Sequence, residues 1–422
     1  MNPIVSVAPA PPAAAVIESS RLAYLDAVRA FALLLGIVFH AGLSFMPIFI
    51  GWAVMDTSTS TLVAIFVLTS HAFRMELFFL VAGFFAHMSY HRSGPAAFLR
   101  SRFLRIVVPF LVGWVILRPL IVSGWIMGGA SLRGDVDIPG ALVMGFQSLV
   151  TLRSETLTGT HLWFLYYLAM ITAIVVVLRA TVASTGRWHE TLHRGMDPVI
   201  ARLCGSRWLL PALVAPTAAV VWFMRDWGVD TPDRSLVPHI PVLLLYGGCF
   251  VTGWLLHRHV GAIAAFSRLT AVRWIIAVVS AAVVVSLVGL QADTGHPRYL
   301  LARAGYIVAY ATMMWSFVLL TVGVFRRLCA RPSAIVRYVA DSSYWMYLIH
   351  LPIVVWLQVA VAELPFHWSL KMTGISAVTI AVALLTYDLF VRSTIIGRVL
   401  NGRRRERAIF HRGPRRSVAG QA

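Results

Sequence analysis

Long runs of apolar residues, broken by short polar stretches, set the pattern of this chain. A bilayer-spanning helix takes about 20 apolar residues. On that length the runs predict ten spanning helices, near 24–46, 61–87, 104–126, 161–179, 208–224, 237–256, 274–290, 304–324, 342–361 and 372–391. The fifth starts beside Pro211 and Pro216, and the sixth at Pro238 and Pro241, where a helix is weakened. Composition changes the picture only by excluding alternatives. The chain is 59% hydrophobic and 13% charged, whereas soluble domains carry about 25% charged residues. The expected fold is all-α: a polytopic membrane helical bundle.

The positions of Lys and Arg orient the bundle. Of 36 basic residues, 26 fall before the first span, in alternate loops on that same side, or after residue 391. Only seven (Arg133, Arg153, Arg225, Arg234, Arg298, Arg303 and Lys371) fall in the opposite loops. The positive-inside rule then places both termini in the cytoplasm. The net charge of +19 is thus mostly a matter of topology and gives no reason to expect nucleic acid. Residues 1–20, with the Ala/Pro-rich PAPPAAA, are expected to be disordered. Residues 21–391 form the transmembrane domain, and 392–422 a basic cytoplasmic tail whose RRRER meets anionic lipid headgroups. The longest outer loop, about 127–160, is Gly-rich and carries Asp135, Asp137 and Glu155. Cys204, Cys249 and Cys329 lack disulfide or metal spacing, so no metal is expected.

Three ionisable residues interrupt the first apolar run, YLDAVRAFALLLGIVFH at 24–40. A charge near the bilayer centre costs about 2.5–3.5 kcal/mol, so such residues are functional candidates. Arg29 and His40 are eleven residues apart, close to three whole turns, hence on one face and roughly 16 Å apart. Asp26 lies one turn before Arg29, where it can neutralise the guanidinium. The plainer reading is a structural ion pair and a hydrogen-bonded histidine. In the second span, HAFRMELFFLVAGFF at 71–85, His71 and Arg74 share a face while Glu76 points elsewhere, and Gly83 permits close helix approach. Arg102 and Arg105 form an RxxR pair at the cytoplasmic start of the third span. Arginine forks bind phosphate bidentately and a helix N-terminus favours anions, although a simple positive-inside anchor fits too. His161 opens the fourth span as HLWFL at the outer face, with Trp163 as an interfacial anchor. His350 lies mid-membrane in DSSYWMYLIHLP at 341–352. His257 and His259 are too close and too exposed for a metal site.

In this order, YLDxxRxxALLLxxxxH, FRMELFFLVAGFF, RxxRxxxPF, HLWFL and SSYWMYLIHLP resemble the membrane acyltransferase 3 family over about residues 21–391. The second motif is most similar to the branch that modifies osmoregulated periplasmic glucans, which includes a glucan succinyltransferase. The resemblance implies a multi-pass inner-membrane enzyme that takes a succinyl or acetyl group from cytoplasmic acyl-CoA. The acceptor would be a hydroxyl of a periplasmic or cell-surface glycan. No bound cofactor is implied; the expected partners are acyl-CoA, the glycan, membrane lipids and proteins of glycan synthesis. Carried over by motif, His40 is the base, with Arg29 and Asp26 beside it in the catalytic set. Arg102 and Arg105 are candidates for the donor phosphates. His71, Arg74, Glu76, His161, Trp163 and His350 are candidates to support the base or touch substrate. Where the family pattern often ends Ser-Gly-Phe, this chain has Ala82-Gly83-Phe84, so no serine role is carried over.

Imidazole, with an ordinary pKa near 6.5, suits the base that a sugar hydroxyl needs. The rival is a transporter or flippase that uses the same buried charges for ion coupling. The absence of internal repeats disfavours it.

Overall fold

The computed structural model describes residues 13–134, 136–151, 158–184, 186 and 197–409, with side chains from residue 23 onward. The expectations for Asp135, Arg153, Glu155, Arg187, Arg194 and the arginines beyond 409 lie outside these residues. Within hydrocarbon each backbone polar group must be satisfied inside the chain, and helices do this segment by segment.

The elements are α1 (Ala13–Gly42), α2 (Thr61–Ser93), α3 (Pro95–Arg102), a π-turn (Phe103–Val107), α4 (Val108–Ala130), α5 (Ile138–Gln147) and α6 (Trp163–Ser184). There follow α7 (Asp197–Gly205), α8 (Leu209–Val221), α9 (Ile240–Arg258), α10 (Ile263–Phe266) and α11 (Ala271–Ala292). The last are α12 (Tyr299–Leu328), α13 (Ala334–Val361), α14 (Trp368–Thr386), which runs on through a second π-turn, and α15 (Ile395–Asn401). Local chemistry marks the boundaries: the Ser60, Thr270 and Ser333 side chains accept backbone N–H groups at the starts of α2, α11 and α13. Gly94, at φ +78°, followed by Pro95, ends α2 and starts α3.

Among the described residues, nine helices are long and apolar enough to cross a membrane. The fifth predicted span is different: α7 and α8 meet at 104°. Its outer contacts show that it still crosses. Asp197 pairs with Arg258 (2.8 Å) and His259 (3.1 Å) at one end of the bundle. At the other end, the carbonyls of Trp222 and Met224 accept from Arg303 near the start of α12. Among the described residues the chain therefore traverses the bundle ten times, once through the bent pair α7–α8, which breaks between Gly205 and Leu209. Both described ends lie together: Arg29 donates to Ala340 O, and Arg405 pairs with Asp341. This end also collects Arg102 and Arg105, and is called the basic end below.

Three expectations need correction. First, α1 begins at Ala13, so part of the stretch expected to be disordered is helical; residues 1–12 lie outside the described residues. Second, the segment after α4 does not stay outside. α5 folds back along α4 until Gly145 abuts Pro119 O, and Ser148 O accepts from Arg118. His161 consequently enters halfway down, its Nε2 donating to the carbonyl of Leu348 (2.9 Å), midway along α13. Trp163 is buried against Tyr246 and Tyr167, and is no interfacial anchor. Third, the tail arginines up to 409 are partly docked. Buried Asp388 accepts from the backbone of Ala408 and Ile409, and Arg407 donates to Leu389 O.

Packing is tightest where α2 meets α9. A Cβ on Gly83 would lie 1.9 Å from Phe250 O, and one on Gly253 1.8 Å from Leu80 O. Two facing glycines thus bring two backbones into contact, as the sequence anticipated for Gly83.

Candidate active site

A cavity of 860 Å³ runs between α1, α2, α4, α6 and α13 from the basic end to the opposite end. At the basic end its wall carries Arg29, Arg102, Arg105 and Asn401; halfway, His40, His71, Arg74, His161 and His350; beyond them Trp52, Trp125 and Arg234. Six arginines and one carboxylate, Asp233, line it among the described residues.

α1 supplies two levels of this wall. Arg29 bonds Asp26 (3.2 Å) and the carbonyl of Ala340 (3.1 Å) at the basic mouth. His40 follows three turns later, roughly 16 Å away. Its ring stacks on Trp52 (5.5 Å) and lies 5.2 Å from His350. The loop that brings Trp52 there is pinned by Asp56, whose carboxylate holds buried Lys371 at 2.8 Å. Gln358 locks the two together: it accepts from the Trp52 indole and donates to His40 O.

The other imidazoles are tied to backbone. His350 Nδ1 bonds Tyr347 O (2.7 Å), His161 Nε2 bonds Leu348 O (2.9 Å) and His71 Nε2 bonds Val229 O (2.8 Å). A carbonyl oxygen only accepts, so each of these nitrogens carries the hydrogen. The lone pairs then sit on His350 Nε2, His161 Nδ1 and His71 Nδ1. Among the described residues, His40 alone of the four has no protein hydrogen bond to its ring; its Nδ1 is buried without a partner, while the ring keeps an open edge on the cavity.

Arg74 stands beside His40, its guanidinium 4.1 Å over the Phe39 ring. Gly36 faces it, and a Cβ there would lie in ordinary contact, 3.6 Å from Arg74 Nη1. Arg74 Nη1 is buried with no hydrogen-bond partner. Glu76 points away from the cavity, as its register predicts. It is fully buried, and neither carboxylate oxygen has a hydrogen-bond partner.

The RxxR pair does not sit at a helix start. α3, the π-turn and α4 form one continuous run, so no N-terminal dipole acts on it. The π-turn instead shifts the register between Arg102 and α4, a distortion frequent at functional sites. The Arg102 guanidinium lies over Phe98, and Tyr344 donates a short hydrogen bond to Arg105 O. Gly402, at φ +79°, lets the chain after α15 pass directly against the Arg105 guanidinium.

The acyltransferase domain family matches residues 22–388. The chain belongs to the acyltransferase 3 family. As a member it is an acyltransferase and a multi-pass membrane protein. It is similar to the glucans biosynthesis protein C of Salmonella agona, 23% identical over 396 residues, 92% of this chain and 96% of the relative. The protein of the same name from Salmonella typhimurium is 22% identical over the same length. No solved structure matches.

The sequence brought His40, His71, Arg74, His161 and His350 forward as candidates, and the fold gathers all five on one cavity. It did not bring forward Trp52, Gln358, Gly402 or Arg118. Arg118 did carry a signal, as a charge inside a span; a loop tryptophan and a lone glutamine carry none.

Proposed function

We propose that this acyltransferase moves an acyl group from a cytoplasmic acyl-CoA, through the bundle, to a hydroxyl of a periplasmic or cell-surface glycan. The observation that carries the proposal is the continuous cavity with His40 halfway along it. The acceptor class rests on the printed name of the similar proteins, and the inner-membrane location on the Arg-rich end facing the cytoplasm.

In this reading Arg29, Arg102 and Arg105 hold the donor phosphates at the basic mouth, since guanidinium forks match phosphate oxygens. The acyl thioester reaches the imidazole level. His40 takes the proton of the acceptor hydroxyl while that oxygen attacks the thioester carbon. Arg74, beside His40, balances the oxyanion that forms there; Arg29 is too far along the helix for that role, and Asp26 acts only by holding Arg29. The carbon–sulfur bond then breaks, and the CoA thiolate takes the proton from His40. His350, His161 and His71, fixed by backbone carbonyls, shape the pocket around the base.

Mass spectrometry of periplasmic and surface glycans, with and without the protein, tests the proposal. The expected result is a mass increment of one acyl group that disappears with the protein and with His40→Ala. Unchanged glycans at normal protein abundance would contradict it.

The Gly402 contact gives a separate expectation. Gly402→Ala forces a Cβ to 1.9 Å from Arg105 Nη2 and strains a backbone at φ +79°. Displacing that guanidinium should raise the donor KM about tenfold, the scale of one charge-assisted hydrogen bond. The kcat should stay within about twofold, because the reacting groups are untouched. Steady-state kinetics with varied donor checks both.

A further inference from the structure

Arg118 has no part in the mechanism above, yet it lines the same cavity and is only 4% exposed. Its single hydrogen bond is long, from Nε to Ser148 O (3.4 Å), and its guanidinium lies over the Trp114 ring. Among the described residues its guanidinium makes no further hydrogen bond, and no carboxylate pairs with it. Two open N–H edges of a buried cation therefore meet cavity space.

The depth of this charge is fixed by its neighbours on α4. A Cβ on Gly113 would touch Leu348, and one on Gly124 would touch Val355. Arg118 lies between them, so it stands at the level of His350 and Leu351, which also line the cavity. It is thirteen residues, about 20 Å, along the same helical run from Arg105. The donor phosphates at the basic mouth are thus out of its reach. It is not the oxyanion partner either: the cation standing beside His40 is Arg74.

A buried cation costs several kcal/mol unless a bound anion offsets it. The fork geometry of guanidinium fits a carboxylate through two parallel hydrogen bonds. We infer that Arg118 anchors an anion subsite at the level of the imidazoles, and that it binds a carboxylate carried by the substrate. Two sources share this chemistry: the distal carboxylate of a dicarboxylic acyl group, and an acidic group on the acceptor. The inference rests on the proposed transfer reaction for its substrate, though not for the existence of the subsite.

The test uses full-length purified protein as wild type, Arg118→Gln and Arg118→Lys. Succinyl-CoA is compared with butyryl-CoA, which lacks the carboxylate, each with a neutral and a uronate-containing oligosaccharide. If the acyl group supplies the carboxylate, Arg118→Gln lowers kcat/KM for succinyl-CoA by about 10- to 150-fold and leaves butyryl-CoA within threefold. If the acceptor supplies it, the loss follows the uronate whichever donor is used. Arg118→Lys, which keeps the charge but not the fork, recovers part of the preference. An equal fall for all four pairs marks a purely structural arginine, and no fall marks an idle one; either overturns the inference. A thermal-shift series with free succinate separates it from the reaction. Stabilisation of wild type but not Arg118→Gln, in protein that transfers nothing, would sink the proposed function and keep the subsite.

Discussion

Exchanging His40 for glutamine is expected to cost about 10²–10⁴-fold in kcat, the range that positioned acid–base catalysis contributes. That is about 3–5 kcal/mol of barrier. Stability should hardly change. The ring is not bonded to the protein among the described residues, and one edge already faces the cavity. Glutamine keeps a polar planar group against Trp52 but cannot take the proton. Donor binding should persist, because Arg29, Arg102 and Arg105 lie at the basic mouth. His350→Gln is the informative partner variant. His350 is bonded through Nδ1 to Tyr347 O, so its loss should be smaller and should include a fall in thermal stability. Single-turnover transfer and direct donor binding, measured on both variants, separate the base from its neighbour. Comparable losses of rate in both, with folding intact, would remove the distinction.

The second large effect is on folding. Gly83→Val is expected to prevent α2 and α9 from docking. The first added carbon would lie 1.9 Å from Phe250 O and 2.7 Å from its carbonyl carbon. These are backbone atoms in a helix and cannot swing aside as a side-chain tip can. The helices must separate, and the matching contact at Gly253 opens with them. Overpacking in cores costs about 1–3 kcal/mol when side chains can adjust; here the cost should exceed that range. α2 carries His71 and Arg74, so separation also takes the cavity wall apart. Gly248→Ala, on the exposed face of α9 with nothing within 4 Å of the added carbon, is the control and should behave as wild type. Size-exclusion profiles and thermal unfolding in detergent report the difference.

How much of this was readable beforehand varies with the physics. Nine spans were legible because length and apolarity are what a bilayer selects. The break in the fifth crossing was not legible: Pro211 and Pro216 both stand inside α8, and the 104° bend falls before them, between Gly205 and Leu209. Depth was misread for the region 131–160. The apolar run at Ile138–Gln147 is too short to span but of the length of a re-entrant segment; read only as part of a Gly-rich outer loop, it left His161 and Trp163 placed at the surface when they are buried at mid-height. The face shared by Arg29 and His40, and that shared by His71 and Arg74, followed from helical period alone. Which arginine stands beside His40 did not, because that depends on the crossing of α1 and α2 at Gly36. The RxxR pair was legible as a motif, while the π-turn that removes it from a helix start was not.

Sided proteoliposomes would test the central claim, transfer through the bundle, most directly. Protein is reconstituted with its Arg-rich end outward, acyl-CoA is added outside only, and oligosaccharide acceptor is enclosed. Acylated oligosaccharide inside, with free CoA appearing outside in equal amount and both lost in His40→Gln, is the expected result. Acylation only when donor and acceptor share one compartment, or movement of acceptor across the membrane without acylation, would contradict it.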